Sequence, residues 1–516
     1  MGKTKEQLKE ILKFVKENKK YWKEKDKIES EEYICAEICE RNMYEIEQNI
    51  LVGKLLQNQK KMKLMIREEN GVVDKIRLSN YLKFLPIINS YEVEKKYNLF
   101  KYMFEYYKNY ILERNKAIKI FKELKIEDIS KLTVSGIKVG DLIYDEYIRV
   151  NEGVYKVEKN KKILKLIKRM CALIRFNKEF FEKNNIKYLI ITDKCYLNHG
   201  ILYRTALEKG IRVIHYLTVE KEITNKTKYR HFFCLNNSTE ELIKKFEKNN
   251  ITLPEVLLQV KENINHRLNG NIQDLDVINA YRDKKFFSRD EIYQKLSLDN
   301  KKKNAIIMCH AISDFPHIDS SIYEDYYIWL DRLLDLIKDN NQVNWLIKPH
   351  PTSYMYAEEG VVEKLLKEKN ILNVKLVPNN MSTASLKEFT DIILTVRGTV
   401  GLEFALLGIP TLNAGKGFYS GYGICYEPNT EEEYKKYLDN ILEIAKPLTE
   451  KQIRDASILY YFIKIKNRPN FPYLIFDTSI YKNYLVKFLE NIIEFRKKIK
   501  REDLIKQDFL EWIKNI

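Results

Sequence analysis

Between residues 305 and 414 short apolar segments alternate with amphipathic ones, and this alternation constrains the fold more than any other feature of the chain. Such a pattern is typical of a parallel sheet that is covered by helices on both faces. Strands are predicted at 305–310, 344–350, 374–377, 391–396 and 410–414, and helices at 323–338, 360–369 and 400–408. This part of the sequence therefore predicts an α/β domain.

A looser series of the same kind precedes it. Strands are predicted at 33–39, 62–68, 187–193 and 211–217, with helices at 43–59 and 201–210 between them. Segments 5–26 and 481–515 repeat apolar residues at helical spacing, which predicts a helical N-terminal extension and a C-terminal helix. The fold class is therefore α/β, with two Rossmann-like domains.

A charged stretch over 279–304 is interpreted as an interdomain linker. It divides the chain into an N-terminal α/β domain with the helical extension (1–295), a C-terminal α/β domain (303–475) and a C-terminal helix (476–516).

The chain carries 90 Lys and Arg against 73 Asp and Glu, a net charge of +17. The basic runs are short and are not interleaved with aromatic residues, so nucleic-acid binding is not predicted. The excess is mainly Lys and comes with 35 Tyr, a composition that an AT-rich genome also produces. The basic helices at 5–26 and 481–515 favour peripheral contact with an anionic membrane surface.

The seven cysteines form neither a CxxC pair nor a Cys/His cluster with zinc spacing, which predicts reduced thiols and no metal site. The N-terminus has no apolar signal region, and no apolar run approaches the length of a membrane span. The expected location is therefore cytoplasmic.

Ligands of open α/β sheets bind beyond the carboxyl ends of the strands, so the residues there are candidates for a site. Lys348, His350 and Pro351 follow the apolar segment NWLI. A cation and an imidazole on a chain stiffened by prolines suit a phosphate group. The alternative is an ordinary proline-terminated strand with a buried histidine.

The strand predicted at 391–396 is followed by Arg397, Gly398, Thr399, Gly401 and Glu403, where a loop opens into a helix. Backbone N–H groups at a helix start and an Arg favour an anion, and Glu403 can accept hydrogen bonds from ribose hydroxyls. Segment 415–423 holds four of the 17 glycines and three aromatics, including Tyr419. It predicts a flexible loop over a ring or a phosphate.

The order KPHP, RGTVGLEFALLGIP and GKGFYSGYGICYEP resembles the capsule polysaccharide biosynthesis family, GT-B glycosyltransferases related to capsular Kdo transferases, over residues 305–430. The resemblance implies a GT-B-like fold, with the acceptor side in the domain at 1–295 and the nucleotide-sugar in the domain at 303–475. It also implies that His350, Pro351, Arg397, Gly398, Thr399 and Glu403 hold the nucleotide and phosphate of the donor. Arg397 and Gly398 stand where Kdo transferases typically have two serines, so a uridine or guanosine diphosphate sugar is favoured over a CMP-linked acid.

The catalytic candidates are Asp145, Asp193, His310 and Asp314. Asp145 lies in a segment similar to the acceptor side of this group, and Asp193 follows a predicted strand. Either can be a general base for an acceptor hydroxyl, or a helix cap or ion-pair partner. His310 and Asp314 follow the strand at 305–310 and can polarise the leaving phosphate or the acceptor; the alternative for His310 is a structural role.

The predicted function is a GT-B glycosyltransferase that needs no metal and no cofactor, with a nucleotide-sugar as substrate. Its acceptor is an oligosaccharide or lipid-linked glycan of a surface polysaccharide. Two alternatives stay open: a CDP-polyol phosphotransferase of the teichoic acid type, and a protein related to sugar-nucleotide epimerases.

Overall fold

A computed structural model of the 516-residue chain describes residues 2–23, 28–39, 43–69, 85–191, 193–215, 218–220, 238–248, 250–271, 277, 281, 284–317, 321–466 and 484–498. The chain divides into two compact units. Unit 1 takes the described residues within Met1–Ile143, Glu158–His231 and Arg468–Ile516, and unit 2 those within Tyr144–Val157 and Phe232–Asn467.

Unit 1 is built around a mainly parallel sheet. Its strands are β1 (Tyr33–Cys39), β2 (Lys63–Glu69), β3 (Lys95–Tyr97), β6 (Ile186–Ile191), β7 (Arg212–His215) and β8 (Thr218–Glu220), with β4 (Thr133–Val134) and β5 (Ile137–Lys138) as a separate antiparallel pair. The order in the sheet is β3-β2-β1-β6-β7-β8, and β8 alone of these runs antiparallel to its neighbour.

Helices cover both faces of this sheet. They are α1 (Gly2–Trp22), α2 (Met43–Lys60), α3 (Leu99–Leu112), α4 (Arg114–Glu123), α6 (Lys161–Lys183), α7 (Tyr196–Glu208) and α18 (Tyr484–Lys498), and α5 (Gly140–Val150) runs from unit 1 into unit 2. On one face α1 and α18 pack together, and Phe14, Trp22 and Phe488 are buried in the same core as Ile34 and Leu64. The N-terminal helix is therefore part of the unit 1 core rather than an extension.

Unit 2 holds a parallel sheet in the order β11-β10-β9-β12-β13. The strands are β9 (Asn304–Met308), β10 (Asn344–Lys348), β11 (Val374–Leu376), β12 (Ile392–Thr395) and β13 (Thr411–Asn413). The helices are α8 (Thr239–Glu247), α9 (Leu253–Leu268), α10 (Arg289–Leu296), α11 (Tyr326–Ile337), α12 (Val361–Glu368), α13 (Thr383–Leu386), α14 (Val400–Ala405), α15 (Glu431–Asp439), α16 (Ile441–Ile444) and α17 (Glu450–Tyr460).

Alternation along the strands of unit 2 divides its core between the two faces. Trp345 and Ile347 of β10 face one hydrophobic cluster, and Leu346 faces the other. Strands that are buried on both faces read as continuous apolar runs, which is why the sequence revealed them. The predicted α/β class with two Rossmann-like sheets is confirmed.

The domain boundary predicted at 295–303 differs from the division by contacts. Residues of α8 and α9 belong to unit 2, where Val256 and Leu268 share a buried cluster with Leu402 and Tyr460. The sequence of a mainly polar helix such as α8 or α9 does not show which of the two hydrophobic cores its apolar side packs against, so the predicted boundary was placed too late in the chain. Among the described helices, none combines the length and apolarity that crossing a bilayer requires.

Candidate functional site

Three strands at the centre of the unit 2 sheet end next to each other. The order β10-β9-β12 brings together His350 after β10, His310 after β9 and Arg397 after β12. The carboxyl edge of the sheet thus gathers two imidazoles and a guanidinium from loops far apart in sequence. This is the position where open α/β sheets bind ligands.

His310 is a neutral, half-buried imidazole. Its ring stacks on Tyr326, with 4.1 Å between ring centroids and 2° between ring planes. Its Nε2 accepts the backbone N–H of Arg397 at 3.4 Å and lies 3.1 Å from the Thr395 hydroxyl, so the ring proton sits on Nδ1. Burial lowers the pKa of His310 well below its usual value, and the charges of His350 and Arg397 lower it further.

Arg397 is held by the same tyrosine. Its side chain is buried, Nε donates to the Tyr326 hydroxyl at 3.0 Å, and the guanidinium carbon lies 5.6 Å from the centroid of that ring. Tyr326 is the first residue of α11 and is itself buried. One aromatic side chain therefore orients both His310 and Arg397.

His350 has a defined tautomer as well. The backbone N–H of Thr352 donates to its Nδ1 at 3.3 Å, and the Thr352 hydroxyl lies 2.7 Å from the same atom. Because Nδ1 accepts, a neutral His350 carries its proton on Nε2 and can donate there. Pro349 and Pro351 on either side restrict the backbone of this turn.

Lys348 has a partner in the protein interior. It is buried, and its amino group donates to the backbone carbonyl of Met381 at 2.8 Å. Burial lowers its pKa to about 8, and the charge of Lys284 adds to the effect. The alternation of β10 points Lys348 to the same side as Leu346. A contact of Lys348 with a donor phosphate stays a prediction.

The loop between β12 and α14 is shaped around Tyr419. The Tyr419 hydroxyl donates to the carbonyl of Gly398 at 2.8 Å, and its side chain is fully buried. A Cβ atom at Gly401 would lie 2.1 Å from that hydroxyl oxygen, so only glycine fits there. The rings of Phe418 and Tyr419 in segment 415–423 pack into the core, and a contact of this segment with a bound ring or phosphate stays a prediction.

Glu403 is buried and bonded on both carboxylate oxygens. Arg267 Nε donates to Oε1 at 2.7 Å, and the Tyr281 hydroxyl donates to Oε2 at 2.9 Å. Each oxygen has a second lone pair, so these bonds fix the carboxylate without using its full capacity. The α14 helix that carries Glu403 ends at Ala405, earlier than the predicted 408, because Gly408 adopts a positive φ of 79°. Binding of a ribose by Glu403 stays a prediction.

The loop after β9 carries Asp314 and is fastened by a carboxylate. Glu358 accepts hydrogen bonds from the backbone N–H groups of Ile312 at 2.8 Å and Ser313 at 2.6 Å, and from the Ser313 hydroxyl at 2.6 Å. Asp314 is exposed, and a hydrogen bond joins it to the hydroxyl of Tyr356. The loop that positions His310 is therefore fixed by Glu358.

Asp145 lies at the other end of this loop. It is buried, and its Oδ1 accepts the backbone N–H of His317 at 2.7 Å. The hydroxyl of the preceding residue, Tyr144, donates to Asp325, whose Oδ1 accepts the N–H of Ile328 at 2.7 Å at the start of α11. The structure thus brings Asp145, His310 and Asp314 into one part of unit 2.

Asp193 lies in unit 1, after β6. Its Oδ1 accepts the backbone N–H groups of Lys194 at 2.6 Å and Cys195 at 2.9 Å. Burial tends to raise its pKa, but the neighbouring His199, the bonds from Cys195 and the more distant His215 leave it below the usual value. Asp193 is thus an ionised carboxylate at the carboxyl edge of the unit 1 sheet.

His199 beside it is oriented by a second carboxylate. Its Nδ1 lies 2.9 Å from Oε1 of Glu37, a fully buried residue of β1. β1 and β6 are neighbouring parallel strands, so Glu37 reaches the end of β6 where Asp193 lies. Glu37 was missed because an acidic residue within an apolar strand resembles a solvent-facing position.

Several residues of the unit 2 site were not found from the sequence. Tyr326, Glu358, Arg267 and Tyr281 come from helices or loops rather than from strand ends. A partial signal existed for Tyr326, since it begins an amphipathic helix directly after an Asp at the capping position. Among the described residues, no group of three or more His, Cys, Asp or Glu side chains is placed to hold a metal ion.

Residues 253–471 match the family described as capsule polysaccharide biosynthesis protein. No curated protein matches the chain. Solved structures show distant similarity, and three of them are named here. The UDP-GlcNAc 2-epimerase from Neisseria meningitidis bound to UDP-GlcNAc is 12% identical, with 84% of this chain and 100% of that chain covered and a TM-score of 0.27. KpsC of Thermosulfurimonas dismutans, a beta Kdo 2,4 transferase, is 14% identical, with 55% of this chain and 85% of that chain covered and a TM-score of 0.32. The wall teichoic acid polymerase TagF is 12% identical, with 95% of this chain and 98% of that chain covered and a TM-score of 0.22.

Proposed function

We propose that the chain is a glycosyltransferase of surface polysaccharide synthesis, because residues 253–471 match the capsule polysaccharide biosynthesis family. In this proposal it transfers a sugar from a nucleotide-sugar donor to a growing polysaccharide or to its lipid-linked acceptor. The family match includes β9 to β13 and the loops that follow them, so it covers the whole candidate donor site.

The observation that carries the proposal is the group formed by His310, Tyr326 and Arg397 at the carboxyl edge of the unit 2 sheet. Arg397 is always charged, and Tyr326 fixes its guanidinium in a buried position. His350 carries a second donor, its Nε2 proton, at the same edge. A fixed guanidinium and a neighbouring imidazole N–H donor suit the diphosphate of a nucleotide-sugar.

Catalysis on the donor side is then electrostatic. As the bond between sugar and phosphate breaks, negative charge accumulates on the departing nucleotide, and Arg397 and the Nε2 proton of His350 stabilise it. The neutral His310 accepts the Arg397 backbone N–H and so keeps this loop in place. In this proposal the Arg397 guanidinium and the His350 N–H suffice without a divalent ion, so transfer continues when EDTA is present.

For the acceptor we propose Asp193 as the general base. Its carboxylate is ionised and follows a strand of unit 1, and its hydrogen bonds with the N–H groups of Lys194 and Cys195 fix its orientation. A base of this kind removes the proton of the acceptor hydroxyl as it attacks the sugar. Asp145 is the weaker candidate, because it is buried and already accepts the His317 N–H.

The experiment is a thermal-shift panel with CMP, CDP, UDP, GDP and CDP-glycerol. A ligand at about 100 times its Kd stabilises the folded protein by about 2.7 kcal/mol. We expect UDP or GDP to stabilise the wild type, and Arg397→Lys and His350→Ala to remove most of the shift. Lys416→Ala is the matched control, since Lys416 is an exposed cation in the neighbouring loop. Selective stabilisation by CDP-glycerol would point instead to a polyol phosphotransferase.

Asp193→Asn tests the base separately from the donor site. Asn keeps an oxygen for the N–H groups of Lys194 and Cys195, so the variant should fold and bind nucleotide like the wild type. Sugar transfer should fall at least a hundredfold, because a general base contributes about 10²- to 10⁴-fold. Full transfer by this variant would remove Asp193 from the mechanism. A product formed without acceptor would indicate an epimerase.

A further inference from the structure

Helix α3 of unit 1 exposes a continuous apolar face. Phe100, Phe104, Tyr107 and Ile111 have relative exposures of 61%, 74%, 52% and 73%. The spacing of four, three and four residues places them on one side of the helix, because an α-helix repeats every 3.6 residues. Single exposed apolar residues are common on protein surfaces, but a row of four on one helix marks an interaction surface.

The opposite side of α3 explains why the helix lies where it does. Leu99 and Tyr102 are buried, and the Tyr102 ring packs edge-on against Phe176 of α6 at 4.9 Å between centroids. The helix is therefore anchored to unit 1 along one face. The exposed aromatic row is not needed to hold it.

Within α3 itself, lysines border this row and the acidic residue of the helix does not. Lys101 and Lys108 are exposed and lie about 80 to 100 degrees around the helix from Phe100, on the same flank. Glu105 lies farther round and turns toward Lys183 of α6, at 3.7 Å. Apolar and aromatic side chains beside lysines are the composition of a helix that lies in a membrane interface.

The helices expected to contact a membrane have other partners. The apolar sides of α1 and α18 pack together in the unit 1 core, where Phe14 and Leu489 are fully buried. Packing thus engages the buried apolar residues of both helices, and the predicted contact of the basic helices at 5–26 and 481–515 with an anionic membrane surface stays a prediction. The apolar sides of these helices were visible in the sequence, but their mutual packing was not.

We propose that the exposed face of α3 docks unit 1 on an anionic membrane surface. Phe100, Phe104, Tyr107 and Ile111 enter the boundary between headgroups and acyl chains, and Lys101 and Lys108 contact anionic headgroups. The overall charge of +17 attracts the chain to such a surface, and the aromatic face supplies contacts that charge alone does not. This inference is independent of the proposed reaction, because it concerns binding alone.

The test is cosedimentation of the full chain with vesicles of equal parts phosphatidylcholine and phosphatidylglycerol, and with vesicles of phosphatidylcholine alone. We expect binding to the anionic vesicles that weakens as salt is added. The double variant Phe104→Asp/Ile111→Asp should bind at least tenfold more weakly. Leu372→Asp is the matched control, because Leu372 is an apolar residue of unit 2 that is 77% exposed, and it should bind like the wild type.

A second variant, Lys101→Glu/Lys108→Glu, changes only exposed side chains and is therefore expected to fold. It should reduce binding to the anionic vesicles and leave binding to phosphatidylcholine vesicles unchanged. Light scattering without vesicles tests the alternative that a second copy of the chain, and not a membrane, covers this face. A dimer that Phe104→Asp/Ile111→Asp separates into monomers, without vesicle binding by the wild type, would overturn the proposal. So would vesicle binding that neither double variant reduces.

Discussion

Tyr326 links the two groups on which the candidate donor site depends. Its ring lies parallel to His310, and its hydroxyl accepts from the side chain of Arg397. His310 and Arg397 were found from the sequence because each directly follows a strand. Tyr326 was not, because its role depends on how α11 packs over the sheet.

Replacing Tyr326 with Phe keeps the ring and removes only the hydroxyl. A hydrogen bond to a charged group contributes about 1.5–3 kcal/mol, so we expect nucleotide binding about 10-fold weaker or more, with little change in fold. Titration calorimetry with the nucleotide that stabilises the wild type measures this. Tyr326→Leu, which also removes the stacking on His310, should be weaker still. Equal affinity for the Phe variant and the wild type would show that Arg397 needs no orientation by this hydroxyl.

Asp325 gives a pH-dependent contribution to stability. Burial raises its pKa to about 6, although bonds from the Ile328 N–H and the Tyr144 hydroxyl oppose the shift. In the unfolded chain an Asp has a pKa of about 3.9, so between about pH 4 and pH 6 the folded state holds a proton that the unfolded state has lost. The free energy of unfolding therefore falls as the pH rises through this window.

Asp325→Asn should remove this pH dependence. Asn keeps the oxygen that caps α11 through the Ile328 N–H and carries no charge. We expect the free energy of unfolding of the wild type, relative to the variant, to fall by about 1–3 kcal/mol between pH 4 and pH 7. Urea unfolding of both proteins across this range measures the difference. A constant difference would mean that Asp325 titrates normally in the folded protein.

At the scale of elements, the strands were predicted more accurately than the helices. β9 to β13 lie within one or two residues of their predicted bounds, because strands buried on both faces are uninterrupted apolar runs. Helix α7 was predicted to start at 201 but begins at Tyr196. Its first turn contains Asn198 and His199, polar residues that belong to the helix because of tertiary contacts rather than apolar periodicity.

The loop after β9 depends on one carboxylate. Glu358→Gln places an amide nitrogen where one oxygen accepts the N–H of Ile312 or Ser313, so one donor loses its partner. Leaving a buried donor unsatisfied costs about 1–3 kcal/mol, and the loop that carries His310 should loosen. We expect lower stability in urea unfolding together with weaker nucleotide binding. Glu359→Gln, at the exposed neighbouring residue, is the control and should change neither.

At the scale of the whole molecule, the chain does not divide where its charge pattern suggests. Helix α9 precedes the predicted linker, yet its Arg267 is an ion-pair partner of Glu403 in the candidate donor site. Both side chains are buried, and Tyr281 donates to the same carboxylate. Pairing between residues so distant in sequence follows from packing in three dimensions, so no pattern along the chain revealed it.

Variants of the Arg267–Glu403 ion pair can separate the structural role of Glu403 from a role in ligand binding. Arg267→Met alone leaves a buried carboxylate without its cation, which should cost about 3–5 kcal/mol in stability. The double variant Arg267→Met/Glu403→Leu replaces both charges with apolar groups and should recover most of that loss. If Glu403 binds the ribose, as the family resemblance implies, the recovered protein should still bind nucleotide at least tenfold more weakly than the wild type. Urea unfolding and calorimetry on the same samples measure both quantities, and wild-type affinity in the stable double variant would restrict Glu403 to a structural role.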